Sequence, residues 1–123
     1  MGGSAEWLSV MEGAKAGMPI IRRVFTVHVD QAAHRGEHAH ILCNQFLVCL
    51  GGSVRVTCDD GAARSEHALS DPGRGLFIPA GVWASQDYGD NSTLLVLCDQ
   101  SYDPADYLRD YQGFLDFRAK GGK

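Results

Sequence analysis

The sequence predicts an all-β sandwich or barrel with a single helix at its C-terminal end. Three observations carry that expectation. From Ile20 onward, β-branched and aromatic residues recur in short runs. Gly, Asp, Asn and Pro punctuate those runs at regular spacing. Helical signals are confined to the stretch after Asp103.

In chain order, residues 1–18 are small and Gly-rich, and read as a flexible leader with one short helical turn ahead of a single domain over residues 19–118. "IIRRVFTVHVD" is the first strand, closed by Asp30. "HAHILC" and "NQFLVCL" follow. Gly51-Gly52 then reads as a two-residue hairpin turn into "SVRVTC". Asp59-Asp60-Gly61 turns the chain into "SEHAL", and "SDPGRG" breaks it again before "LFIP", "VWASQDY" and "STLLVLCD". Asp103-Pro104 is an N-cap with Pro at the first helical position. "ADYLRDYQGFLDF" would then lay Tyr107, Leu108, Tyr111 and Leu115 along one packing stripe of a helix.

The 123 residues suit one domain with one core. A net charge of −4 without any basic stripe argues against nucleic acid or an anionic membrane as partner. No apolar run approaches the roughly 20 residues of a membrane-spanning helix. The N-terminus lacks the basic-then-apolar pattern of a signal peptide. Cys43, Cys49, Cys58 and Cys98 show no C-x-x-C spacing and read as reduced, buried thiols. A cytoplasmic location is therefore expected.

Chemistry concentrates in "RGEHAHILCNQF", residues 35–46. Alternate residues of a strand share a face, so His38 and His40 point the same way. If Gln45 shares that face, it is the polar member of an otherwise apolar lining, the usual composition of a small-molecule site. Nothing in packing requires two titratable rings side by side on an inward face. Each would need its own partner to avoid a penalty of roughly 1–3 kcal/mol. Paired proton carriers are the favoured reading, because imidazoles titrate near working pH.

The spacing H-x-H-x4-Q-x6-G from His38 through Gln45 to Gly52 resembles the first motif of the cupin superfamily, and Gly73 through Pro79 and Gly81 to Ala84 resembles the second. Two positions that hold metal ligands in the cupin pattern are here a neutral amide, Gln45, and a methyl, Ala84. The remaining pair is too few for a catalytic zinc or iron site. The spacing of His34 and His67 does not recruit either as a third ligand, so no metal and no other cofactor is expected.

"RGEHAH", "QFLVCLGGSVRVTCDDG", "GLFIPAGVW" and "LLVLCDQSYDPADYLRDYQGFL" together resemble the sugar-nucleotide 3,4-ketoisomerases, over about Arg23 to Leu115. The resemblance implies a cupin-type double-stranded β-helix, or jelly roll, assembled as an intertwined homodimer. It also implies a thymidine-diphosphate-linked 4-keto-6-deoxyglucose as substrate. The paired histidines, here His38 and His40, would be the catalytic residues and would work without metal. Departures are the tyrosine-poor stretch "VFTVHVDQAAH", which contains His28, and Ala84 after Trp83.

Moving a ketone from C4 to C3 needs one base at carbon and one proton shuttle between the two oxygens. Two imidazoles on one strand face fit that demand, with His38 assigned to carbon and His40 to oxygen. Arg35 either clamps the diphosphate or is a solvated loop arginine. Gln45 bonds a sugar hydroxyl or satisfies the neighbouring histidine, and Trp83 is a candidate to stack on the thymine, with core or dimer packing the favoured alternative. A metal-dependent cupin enzyme and a non-catalytic nucleotide-sugar-binding cupin are the rival functions.

Overall fold

The computed structural model describes residues 6–8 and 20–121. Ten strands form two antiparallel five-stranded sheets. They are β1 (Glu6–Leu8), β2 (Arg23–Val29), β3 (Ala33–His40), β4 (Gln45–Gly51), β5 (Val54–Asp59), β6 (Arg64–Leu69), β7 (Gly75–Ile78), β8 (Trp83–Tyr88), β9 (Ser92–Cys98) and β10 (Tyr107–Leu108). One sheet runs β1-β7-β4-β9-β2 and the other β10-β3-β8-β5-β6. A helix, α1 (Tyr111–Ala119), closes the described chain. The expected jelly roll with a C-terminal helix is what forms.

Alternation places the core between the sheets. In β9, Ser92, Leu94, Val96 and Cys98 are buried and their neighbours half-buried. Leu47 and Cys49 from β4 meet Val54, Val56 and Cys58 from β5 in the same cluster. Full burial of such an aliphatic side chain contributes about 1.5–3 kcal/mol. The four cysteines are free thiols, and all are buried.

The pairing of β4 and β5 departs from the expected hairpin. β4 pairs with β7 and β9, whereas β5 pairs with β6 and β8. Gly51-Gly52 is thus a crossing between sheets and not a hairpin turn. Gly52 has φ +72°, and a Cβ there would stand 2.3 Å from Ser92 Oγ. A glycine is required because the crossing chain is pressed against β9.

The C-terminal segment also departs from expectation. Asp103 caps only the three-residue 3₁₀ turn Pro104–Asp106, its side chain accepting from Ala105 N. Tyr107 then goes extended and β10 pairs with the end of β3, Tyr107 opposite His40 and Leu108 opposite Ala39. Tertiary hydrogen bonds override helix propensity here. The Asp106 carboxylate accepts from Leu42 N at 2.7 Å and Cys43 N at 3.2 Å, which pins the turn to the loop after β3. The helix starts only at Tyr111, capped by Asp110, whose side chain accepts from Gly113 N at 2.9 Å.

Of the expected leader, Glu6–Leu8 forms an edge strand paired with β7. The remainder of residues 1–18, including the expected helical turn, lies outside the described residues.

Candidate active site

The site begins with a defect in a strand. The register of β3 against β8 slips between Gly36 and His38, leaving Glu37 as an extra, bulged residue. Arg35 pairs with Gln86 and His38 with Ala84. Those partners lie two apart on β8, so Arg35 and His38 face the same way although three residues separate them. Without the bulge, strict alternation would turn Arg35 away from the histidines.

Glu37 holds the bulge at φ 67°, a left-handed conformation that costs a non-glycine residue about 1–2 kcal/mol. Its carboxylate offsets that strain. One oxygen lies 2.6 Å from His34 Nε2, and the other accepts from Trp83 Nε1 at 3.3 Å. His34 is held from its other side by Asp87 at 2.6 Å, and the two carboxylates raise its pKa. Beside it, Gly36 has φ +98°, and a Cβ there would come within 2.9 Å of Ser85 Cα.

Beyond the bulge, His38 and His40 project inward. Their ring centroids are 5.1 Å apart, edge to face at 87°. Tyr107 covers both, 5.0 Å from His38 and 4.4 Å from His40, and the Arg109 guanidinium sits 4.3 Å over the tyrosine ring. His40 Nδ1 lies 3.1 Å from Asp106 Oδ2. Two ring atoms, His38 Nδ1 and His40 Nε2, are buried with no hydrogen-bond partner among the described residues.

Burial, and then the neighbouring imidazole, pushes the His38 pKa down to about 4, against a smaller opposing effect of the Gly36 carbonyl. Burial also lowers that of His40, opposed by its hydrogen bond to Asp106. Both rings are therefore neutral at pH 7 and able to accept a proton.

His38 opens into a cavity of about 110 Å³. Phe25, Val27, Leu47, Leu94 and Val96 form its apolar wall, and Arg35, Gln45, Gln86 and Tyr107 supply polar groups. Gln45 thus shares the face of His38. Its amide donates to Cys98 Sγ at 3.6 Å and not to a histidine. A somewhat larger hollow of about 150 Å³ at Cys58, Ser65 and His67 contains a single imidazole, bonded to Ser65 Oγ. It lacks paired bases.

Trp83 occupies a packing position. Ala84 faces inward on β8, so Trp83 must face outward, where it is 7% exposed beneath α1 and 5.6 Å from Phe114. It braces the bulge and is not placed to stack on a ligand in the cavity. Ala84, paired with His38, brings only a methyl to the position of the last cupin ligand. His34 sits on the outer surface and His67 at the other hollow. No group of three or more His, Cys, Asp or Glu among the described residues is arranged to hold a metal ion. The cupin metal set is not met by these side chains.

Asp106, Tyr107, Arg109 and Gln86 were not singled out from the sequence. The available signal was an acidic residue followed by an aromatic in "PADYLR", which helical spacing assigned to packing. Fold and site together define a cupin-type jelly roll built for proton transfer to and from a small polar substrate.

The chain belongs to the family described as FdtA: WxcM-like, C-terminal, which matches residues 3–119. It is 38% identical over 102 residues to TDP-4-oxo-6-deoxy-alpha-D-glucose-3,4-oxoisomerase of Aneurinibacillus thermoaerophilus, covering 81% of this chain and 73% of that protein. It is similar to a double mutant of the QdtA 3,4-ketoisomerase of Thermoanaerobacterium thermosaccharolyticum in complex with TDP, with a TM-score of 0.86 at 32% identity over 98% of each chain. A mutant of the same enzyme in complex with TDP-4-keto-6-deoxyglucose superposes with a TM-score of 0.85 at 31% identity, over 98% of this chain and 97% of that one.

Proposed function

We propose that this protein, an isomerase of deoxysugar biosynthesis, moves the ketone of TDP-4-keto-6-deoxyglucose from C4 to C3 through an enediol. The observation that carries the reading is the pair of neutral imidazoles, 5.1 Å apart, of which His38 lines a largely apolar cavity with His40 directly behind it.

His38, which lines the cavity, removes the proton from C3, the carbon next to the ketone. Electrons of the C3–H bond form the C3=C4 double bond, and O4 becomes negatively charged. His40 then carries the proton of the C3 hydroxyl from O3 to O4. The charge now on O3 collapses to a C3 ketone as C4 takes the proton back from His38. No atom is gained or lost. Each general base contributes about 10²–10⁴-fold.

Arg35, at the mouth of the cavity, pairs with the diphosphate, and Gln45 presents its amide to a sugar hydroxyl. The deep apolar wall receives the C6 methyl group. Burial of the site away from water protects the enediol from side reactions.

A second copy of the chain is the proposed partner. β2 lies at the edge of its sheet with Val24 and the preceding Ile20 more than half exposed. Pairing removes such an edge from solvent. Free thiols suit the cytoplasm, where we place the enzyme. No described helix is long and apolar enough to cross a membrane.

The test is isomerisation in deuterated water followed by NMR. His38→Asn should abolish deuterium entry at C3 while TDP still binds. His40→Asn should cripple turnover by about 10²–10⁴-fold yet leave slow exchange at C3. Both variants turning over within a few-fold of wild type would make the pair structural, and wild type that binds without turnover would make this a binding protein.

A further inference from the structure

We propose that Asp106 is the positioning residue that makes His40 a base, holding its ring as the Nδ1–H tautomer and leaving the lone pair on Nε2. The proposal rests on the reading of His40 as a proton carrier given above.

Two backbone N–H groups and one imidazole nitrogen converge on one carboxylate. Leu42 N donates to Oδ1 at 2.7 Å, and Cys43 N donates to Oδ2 at 3.2 Å. His40 Nδ1 lies 3.1 Å from Oδ2. Backbone amides can only donate, and an ionised carboxylate can only accept. The ring must therefore bring the proton to this contact. With the proton on Nε2 instead, the Nδ1 lone pair would face a carboxylate oxygen at 3.1 Å, acceptor against acceptor.

Neither partner can move aside. Asp106 is 8% exposed, and its own carbonyl accepts from Ile41 N at 2.9 Å. The next residue, Tyr107, is paired in register with His40. On the other strand edge, the His40 carbonyl accepts from Gly81 N at 2.7 Å. Burial disfavours a second proton on the ring, Asp106 opposes it, and Arg109 and Arg23 add smaller effects in the direction of burial. The result is a neutral ring whose buried, unpartnered Nε2 is an acceptor. That is the state a shuttle must start from if it first takes the O3 proton and then hands it to O4. The same carboxylate balances the imidazolium formed in between.

The experiment uses the whole protein labelled with ¹⁵N-histidine. Long-range ¹⁵N–¹H spectra at pH 7 should show wild-type His40 as the Nδ1–H tautomer. Asp106→Asn replaces one acceptor oxygen with an amide N–H₂, which donates to Nδ1 and drives the proton to Nε2. That variant should show the opposite tautomer. Its kcat should fall about 10²–10⁴-fold with KM for the nucleotide sugar within a few-fold of wild type, while C3 hydrogen exchange persists. Wild-type His40 carrying its proton on Nε2 would overturn the proposal without any variant having to fold. So would an Asp106→Asn protein that keeps the wild-type tautomer and loses only stability or affinity, since Asp106 would then be a loop anchor. A wild type that shows the Nδ1–H ring but isomerises nothing would support the positioning and sink the isomerase reading instead.

Discussion

The depressed pKa of His38 makes a prediction about stability that needs no substrate. Burial and the neighbouring imidazole hold it at about 4 in the native protein, against an ordinary 6.5 in the unfolded chain. Between those values the unfolded state binds more protons than the native one, so acid favours unfolding. The stabilising contribution is fully present above 6.5 and is lost as pH falls from 6.5 to about 4. Across the whole window it amounts to about 3 kcal/mol, of which about 2 kcal/mol disappears between pH 7 and pH 5. His38→Asn preserves size and polarity but cannot titrate. Urea unfolding of wild type and variant at pH 7, 6 and 5 isolates the effect, because the lowered pKa of His40 is common to both. Wild type should lose about 2 kcal/mol more than His38→Asn between pH 7 and pH 5. Parallel pH dependences would refute the idea that His38 is buried and uncharged in the native site. The same property keeps His38 mostly neutral in mild acid, where an unperturbed histidine would be mostly protonated.

Other outcomes follow from the same geometry. Trp83→Phe removes the indole N–H from Glu37 and should cost about 0.5–1.5 kcal/mol by thermal unfolding, while TDP affinity measured by calorimetry stays within a few-fold; a tenfold loss would return Trp83 to the ligand site. Elemental analysis of the purified protein should find no stoichiometric iron, zinc or manganese, and chelation should leave turnover unchanged; one equivalent of metal with chelator-sensitive activity would favour a metal-dependent cupin. Light scattering at micromolar concentration should give twice the mass of one chain, and a clean monomer would contradict the pairing proposed for β2.

The strands were legible because alternation is local: runs such as "STLLVLC" state which side chains point inward without reference to any neighbour. For the same reason His38 and His40 could be placed on one face before any pairing was known, whereas Gln45, on the next strand, could be joined to them only conditionally. What the sequence hid was decided by contacts distant along the chain. Gly51-Gly52 carries the signature of a hairpin, and the partners that place β4 and β5 in different sheets, β9 and β8 among them, lie far along the chain. Asp106 and Tyr107 satisfy helical spacing, and only the amides of Leu42 and Cys43 pull them out of a helix and into the site. Trp83 could be read as packing or as ligand platform, because an aromatic next to a motif carries no mark of which side of the sheet it faces.

The bulge at Glu37 has one more consequence, for how β3 tolerates change. The strand contains two reading frames of side-chain direction, joined at a single residue: one runs through Ala33 and Arg35, the other through His38 and His40. Deleting Glu37 would merge the frames and leave every remaining side chain on its present side. Keeping the residue while letting the strand straighten would do the opposite, turning Arg35 to solvent and swinging His34 towards the cavity mouth. β3 can therefore lose a residue here more safely than it can lose a conformation, and the His34–Glu37–Trp83 bonds on the outer surface hold the strand in its productive frame.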